Sequence, residues 1–222
     1  MKPAMNTQRK IQISVQPAGI KKQRGVALFF ALISMLAIML AAVALVRSVD
    51  TSTIISGNLA FQQAATASAD SGTEAAITWL AATEAANIAT NYLTNAAHPF
   101  NINAPTSGYY SNLNPALSLT TSSGTYIKWD DTDSKLVATD SSGNTTRYVI
   151  QRMCRTASVA VQSADCMLST ASQDNNGQNI QLPQEVCKGT GCPAAGQAPQ
   201  IRITSRTTGP KNALSYVQAY VY

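Results

Sequence analysis

An apolar run from Val26 to Val46, 21 residues with Ser34 as its only frankly polar member, constrains what this chain can fold into more than any other feature. As a helix it spans roughly 30 Å at 1.5 Å per residue, about the hydrocarbon thickness of a bilayer. Twelve of the 21 are Val, Ile, Leu or Phe. At helix-centre values they favour insertion by ~4–7 kcal/mol as an upper bound. The run is therefore expected to enter a membrane, and the remaining chain is organised by what happens to it there.

The charge distribution orients it. The net charge of +5 comes from Lys2, Arg9, Lys10, Lys21, Lys22 and Arg24, all ahead of the run, where no acid occurs. The rest of the chain carries ten basic and eleven acidic residues. The basicity is thus a positive-inside signal that keeps the N-terminus cytoplasmic. It is not the footprint of a nucleic-acid-binding face, so no direct binding of nucleic acid is expected.

All four cysteines (Cys154, Cys166, Cys187 and Cys192) follow the run, on the exported side. An even count in an oxidising compartment suggests two disulfides. Four cysteines allow three pairings, and sequence does not choose. Local pairs, Cys154 with Cys166 and Cys187 with Cys192, are favoured because each orders half of an apolar-poor segment. Zinc is the competing use, but no second tight cysteine pair and no nearby histidine supports it.

The apolar run has three possible fates. Ala42-Val43-Ala44 has the small-residue pattern of a secretory cleavage site, although the run is long for a signal core and continues through Leu45 and Val46. It could remain an uncleaved anchor. The third fate uses the junction Arg24-Gly25-Val26-Ala27-Leu28, which resembles the site where prepilin peptidase cuts class III signals. Cleavage there falls between Gly25 and Val26, on the cytoplasmic side, and leaves the helix on the mature protein.

The resemblance extends further. QRGVALFFALISMLAIMLAAVALVRS followed by TSTIISGNLAFQQAATASADSGTEAA is similar to the N-terminal region of PilX-type minor pilins of type IV pili. The matching features are Arg24-Gly25, Arg47-Ser48, Gly57-Asn58 and the Ala-rich stretch from Ala69 to Ala76. Arg147 to Arg152, Ile201 to Thr204 and Ser215 to Gln218 resemble paired strand motifs of the same proteins. The resemblance implies a minor pilin held in the inner membrane and then built into a fibre, with an N-methylated Val26. It implies prepilin peptidase, other minor pilins, the major pilin and a PilY-type tip adhesin as partners. The roles served would be twitching motility, adhesion or DNA uptake. Phe30 departs from the pattern, because most major pilins carry glutamate at that fifth mature position. A carboxylate there is thought to attract the terminal amine of a neighbouring subunit, and Phe30 cannot. A subunit at the fibre tip has no neighbour above it, so Phe30 suggests a tip position. Type II secretion tip pseudopilins share this logic and are the alternative. A signal-cleaved periplasmic binding protein is the alternative from another class.

In chain order, residues 1–25 are expected as a removed leader, 26–46 as the membrane or fibre-core half of a long helix, and 47–222 as an exported pilin-like domain. Within that domain an amphipathic half-helix is expected over 47–92, with Ile54, Leu59, Phe61, Ala65, Gly72, Ala76, Trp79 and Leu80 at helical spacing. Its alanines suit close packing on a sheet. Gly57 marks a weak point. A loop over 93–124 follows, with Tyr109-Tyr110 either anchoring an interface or packing on its own domain. Residues 125–222 are expected to hold the sheet and the cysteine-bearing loop. Strands are expected at Thr125 to Trp129, Lys135 to Ala138, Thr146 to Met153, Gln200 to Thr207 and Leu214 to Tyr222, the first two joined through Asp130–Asp133. The expected class is α+β: a long N-terminal helix, apolar then amphipathic, packed on a C-terminal antiparallel sheet of four or five strands.

No nucleophile, acid–base pair or phosphate loop is present as a motif. Asp130, Asp131 and Asp133 lack the spacing of a calcium loop. His98, followed by proline, is a poor general base. No catalytic residue, cofactor or metal site is expected, and the chain is not expected to be an enzyme.

Overall fold

The computed structural model describes residues 25–119 and 126–222. The leader through Arg24, and Thr125, lie outside them. Two compact units divide the chain, the first ending at Thr53 and the second running Ile54–Tyr222. One helix, α1 (Val26–Ala86), passes through both. Its 61 residues amount to roughly 90 Å of helix. It is long and apolar enough over its first part to cross a membrane, and every described residue through Ala60 is exposed.

The apolar periodicity of α1 becomes burial later than the sequence suggests. Ile54 and Leu59 stay exposed, while Ala65, Ala69, Gly72, Ala76 and Leu80 are buried against the sheet. These five share one face at spacings of three and four. Ala64, Ala81 and Ala82 stay exposed, Ala81 at the edge of the seam between helix and sheet. The helix ends at Ala86, short of residue 92. Asparagine side chains explain the early end. Asn87 Nδ2 donates to Thr83 O at 2.8 Å, Asn91 Oδ1 accepts from Leu93 N at 2.9 Å, and Asn95 Oδ1 accepts from Ala97 N at 2.9 Å. Such local bonds compete with the helix ladder.

The sheet is mixed and has five strands: β1 (Tyr109–Tyr110), β2 (Lys135–Thr139), β3 (Thr145–Arg152), β4 (Ile201–Thr208) and β5 (Leu214–Val221). β3 is central. β4 and then β5 continue antiparallel on one side of it. On its other side β2 pairs antiparallel along Thr145–Tyr148 and β1 pairs parallel at Ile150 and Gln151.

Two strand expectations change. Tyr109-Tyr110 is a strand in what the sequence suggests is a loop, and its parallel pairing makes the sheet mixed rather than purely antiparallel. Tyr126 to Trp129 is not a strand. The Asp130–Asp133 carboxylates turn the backbone inward there. Asp133 Oδ2 accepts from Lys128 N at 2.9 Å, and Asp130 Oδ1 from Thr132 N at 2.8 Å. β2 instead makes its hairpin with β3, through the turn at Asp140–Asn144.

Both faces of the sheet are covered. On the helix face, Tyr148, Ile150 and Ile203 pack with Ala76, Leu80, Phe100 and Tyr109. On the other, Val149 packs with Tyr110, Leu117 and Ile127. Both tyrosines therefore pack within their own domain. Tyr109 donates to Phe100 O at 2.7 Å, and Tyr110 to Asp133 O at 3.2 Å.

Helix and sheet are in close contact at Gly72. A Cβ there would overlap Ser205 Oγ and lie 2.8 Å from Thr146 Cγ2. Gly72→Ala is therefore expected to destabilise by ~1–3 kcal/mol through overpacking, although alanine is the better helix former by ~1 kcal/mol. Gly57→Ala, whose Cβ meets nothing within 4 Å, should stabilise by ~0.5–1 kcal/mol. Urea unfolding of both variants, followed by tryptophan fluorescence, checks the opposite signs.

Candidate functional site

The residues singled out by sequence lie in two separate regions. Gly25 precedes the first helical residue with φ of 81°, and a Cβ on it would meet nothing within 4 Å. Val26 opens α1. Phe30 is exposed, and its ring lies 6.3 Å from that of Phe29, nearly edge-on. Around them, Leu28, Leu32, Ile33, Leu36, Ile38 and Leu40 are exposed as well. A continuous apolar surface of this kind marks a membrane or protein contact. Its chemistry is burial of side chains. Among the described residues of this stretch, Ser34 spends its hydroxyl on Ala31 O at 2.9 Å.

The cysteines lie in the second unit. Disulfides join Cys154 to Cys166 and Cys187 to Cys192. The first closes a short loop that leaves the end of β3 and carries α2 (Val161–Ala164). The second packs with Leu93 and Val161 in a satellite core. One backbone bond and one side-chain bond tie this excursion to the end of the helix region: Gln162 N donates to Leu93 O at 3.1 Å, and Asn91 Nδ2 to Val186 O at 2.6 Å. By restricting the unfolded chain, the two closures are worth ~3 and ~2 kcal/mol.

A third element had no functional reading in the sequence. Arg152, the last residue of β3, is buried to 1% exposure. Its Nε donates to Ser111 O at 2.9 Å, its Nη1 to Asn101 Oδ1, and its Nη2 to Val159 O at 3.1 Å. One guanidinium thereby joins the loop after the helix, the chain leaving β1, and the disulfide-closed loop. Burial lowers its pKa from the ordinary value. The signal was present in sequence. Alternation along β3 puts Arg152 on the inward face with Thr146, Tyr148 and Ile150.

Two further polar residues clamp the domain. Asp140 accepts from Ser68 Oγ on the helix at 2.7 Å and from Asn144 Nδ2 at 2.8 Å. These bonds, with Asn144 first, hold its carboxyl down to about 2. Asn144 is itself buried. His98 is buried between the rings of Tyr92 and Phe100, and its Nδ1 accepts from Phe100 N at 3.1 Å. Burial lowers its pKa, so it stays neutral and serves as a structural acceptor.

Both shifts are depressions. On acidification the unfolded chain takes up each proton first, so stability present at neutral pH is lost as pH falls. The His98 part starts to go near pH 6.5, and the Asp140 part goes between about 3.8 and about 2. Thermal melts between pH 8 and 2 should show Tm declining in both windows. His98→Asn, which keeps an acceptor but cannot titrate, should flatten only the upper one. An unchanged upper window in that variant would remove His98 from the account.

The acidic turn is internally occupied. Asp131 pairs with Arg147 at 2.7 Å, and Asp130 and Asp133 hold backbone N–H groups. On the sheet face away from the helix, Arg206 lies 5.6 Å over the Trp129 ring, which packs on Tyr216. Protein-family models, characterised proteins and solved structures offer no match to this chain.

Proposed function

We propose that this chain is a minor pilin of the PilX type, a structural and assembly subunit of a type IV pilus with no enzymatic role. The single observation that carries the reading is the junction at Gly25. A basic residue and glycine lead directly into a helix that starts at Val26. That helix is apolar for 21 residues apart from Ser34, and its later turns pack on a five-stranded sheet. The arrangement is compatible with a pilin-like fold and with a single-pass membrane anchor. In this reading prepilin peptidase cuts after Gly25, and Val26 becomes the N-methylated terminus. The exposed apolar helix face first sits in the inner membrane with its N-terminus cytoplasmic. It then packs against other minor pilins and the major pilin in the fibre core.

Phe30, standing where most major pilins carry glutamate, supports a position at or near the tip, in a priming complex close to a PilY-type adhesin. Immunogold labelling of purified fibres at even density along their length would sink that placement. The mature N-terminus tests the function itself. Val26 supports a pilin, Leu45 a secreted periplasmic binding protein, and an intact leader a plain anchor. Co-purification with sheared pili separates the pilus from the alternative, a type II secretion tip pseudopilin.

A further inference from the structure

Within the second unit a cavity of about 360 Å³ opens at the seam between α1 and the sheet, where β3 and β5 end and β4 begins. That volume is in the range of small-molecule sites. Ile77, Leu80 and Ala81 wall it from the helix, and Phe100, Tyr109 and Ile201 from the other side. Arg152 also lines it.

The charge balance of Arg152 is the informative feature. Its three hydrogen bonds all go to neutral oxygens. They use three of the five N–H groups that a guanidinium offers. Among the described residues no carboxylate forms an ion pair with it. A buried cation without a counter-charge is costly unless something supplies one. Tyr92 lines the same cavity, and its hydroxyl has no hydrogen-bond partner among the described residues. An anion entering here would find a guanidinium and a phenol in a chamber that is apolar apart from the exposed Glu84.

We propose that this cavity binds a small apolar carboxylate, its head group on Arg152 and Tyr92 and its body between Leu80, Phe100, Tyr109 and Ile201. A carboxylate suits the remaining guanidinium donors, since charged hydrogen bonds of this type are about twice as strong as neutral ones. The walls mix aliphatic and aromatic side chains, so an alkyl and an aryl body are both chemically suited. Glu84, exposed and also lining the cavity, disfavours anions of higher charge. The inference is independent of the pilin reading, because it uses only the second unit.

Trp79 reports on the site, with its ring 5.2 Å from that of Tyr109. The chain has two tryptophans, so Trp129→Phe leaves Trp79 as the sole emitter. The full chain in lipid discs is titrated with octanoate and with 3-phenylpropionate, and in parallel with octanamide and 3-phenylpropanamide; empty discs correct for partitioning. We expect a saturable change in Trp79 emission with at least one acid, and its amide at least ~10-fold weaker. The tighter acid identifies the ligand as acyl or aryl. Ala81→Phe, which fills the chamber without touching the Arg152 hydrogen bonds, should abolish the change. Glu84→Gln should tighten binding by about two- to threefold at low salt. No saturable change with either acid, equal binding of acid and amide, or full binding by the Ala81→Phe protein would each overturn the proposal.

Discussion

Arg152→Leu should lower the stability of the sheet-bearing unit by ~3–5 kcal/mol, the net of three lost charged hydrogen bonds and their stranded acceptors against the relief of one buried charge. Two effects oppose each other. Leucine removes a buried cation that lacks a carboxylate partner, which favours the variant. It also strands Ser111 O, Val159 O and Asn101 Oδ1, each now donated to by the guanidinium. Hydrogen bonds to a charged group contribute ~1.5–3 kcal/mol each, and buried acceptors left without donors cost a further ~1–3 kcal/mol. Three such losses outweigh the relief of one charge. Asn101 is held from its other end, donating through Nδ2 to Tyr92 O and Asn95 O, so it cannot easily turn to find a new donor. Arg152→Lys should recover only part of the loss, because an ammonium is a point charge and these acceptors fit a planar fork. Against a typical total of ~5–15 kcal/mol, the leucine variant would be marginal. Urea unfolding with linear extrapolation measures it. A leucine variant within ~1 kcal/mol of the parent would show that the three loops are held by packing instead.

The same residue shows where sequence was informative and where it was not. β3 was legible from its run of aromatic and β-branched residues, buried on both faces, and β4 and β5 from their alternation. Along β5, Ser215, Val217, Ala219 and Val221 turn inward, while Leu214, Tyr216, Gln218 and Tyr220 turn outward. The long helix was legible from composition alone. Its end was not, since three asparagines compete for backbone groups within one short stretch. β1 was illegible for another reason. It is two residues long, lies in Asn-, Pro- and Ser-rich text, and exists only because β3 accepts it in parallel; Ile150 N donates to Gly108 O at 2.7 Å just before it. Tyr126 to Trp129 alternates like a strand, but the Asp133 carboxylate captures the N–H of Lys128, five residues back. Propensity there lost to side-chain hydrogen bonding. Arg152 and His98 were missed because polar residues are expected outside. The β3 alternation assigns Arg152 to the inside, and a charged residue on an inward face is a signal of a buried hub.

Substitution at Gly25 should have the largest functional effect. Its φ of 81° belongs to the left-handed region, directly before the first turn of α1. A side chain there costs ~1–2 kcal/mol, and a β-branched one more, because its χ1 freedom is also restricted. Space is not the constraint, since a Cβ would meet nothing within 4 Å. The strain falls on the backbone, at the bond that a prepilin peptidase would have to hold unwound beside a helix. At ~1.4 kcal/mol per tenfold change, Gly25→Val is expected to slow processing by at least ~10-fold, and Gly25→Ala by less. Intact mass and N-terminal sequencing of the membrane fraction should find the leader retained on the valine variant and Val26 as the first residue of the parent. The subunit should then be absent from sheared fibres, because the retained leader keeps six basic side chains at the head of a helix that must enter an apolar bundle. The order of these effects matters. If the valine variant is processed normally, strain at Gly25 does not limit cleavage. If it keeps its leader yet still enters fibres, the junction is not what releases the helix for assembly. Full processing at Leu45 in both proteins would show that the apolar run is a secretory signal, and that the helix packed on the sheet begins downstream of it.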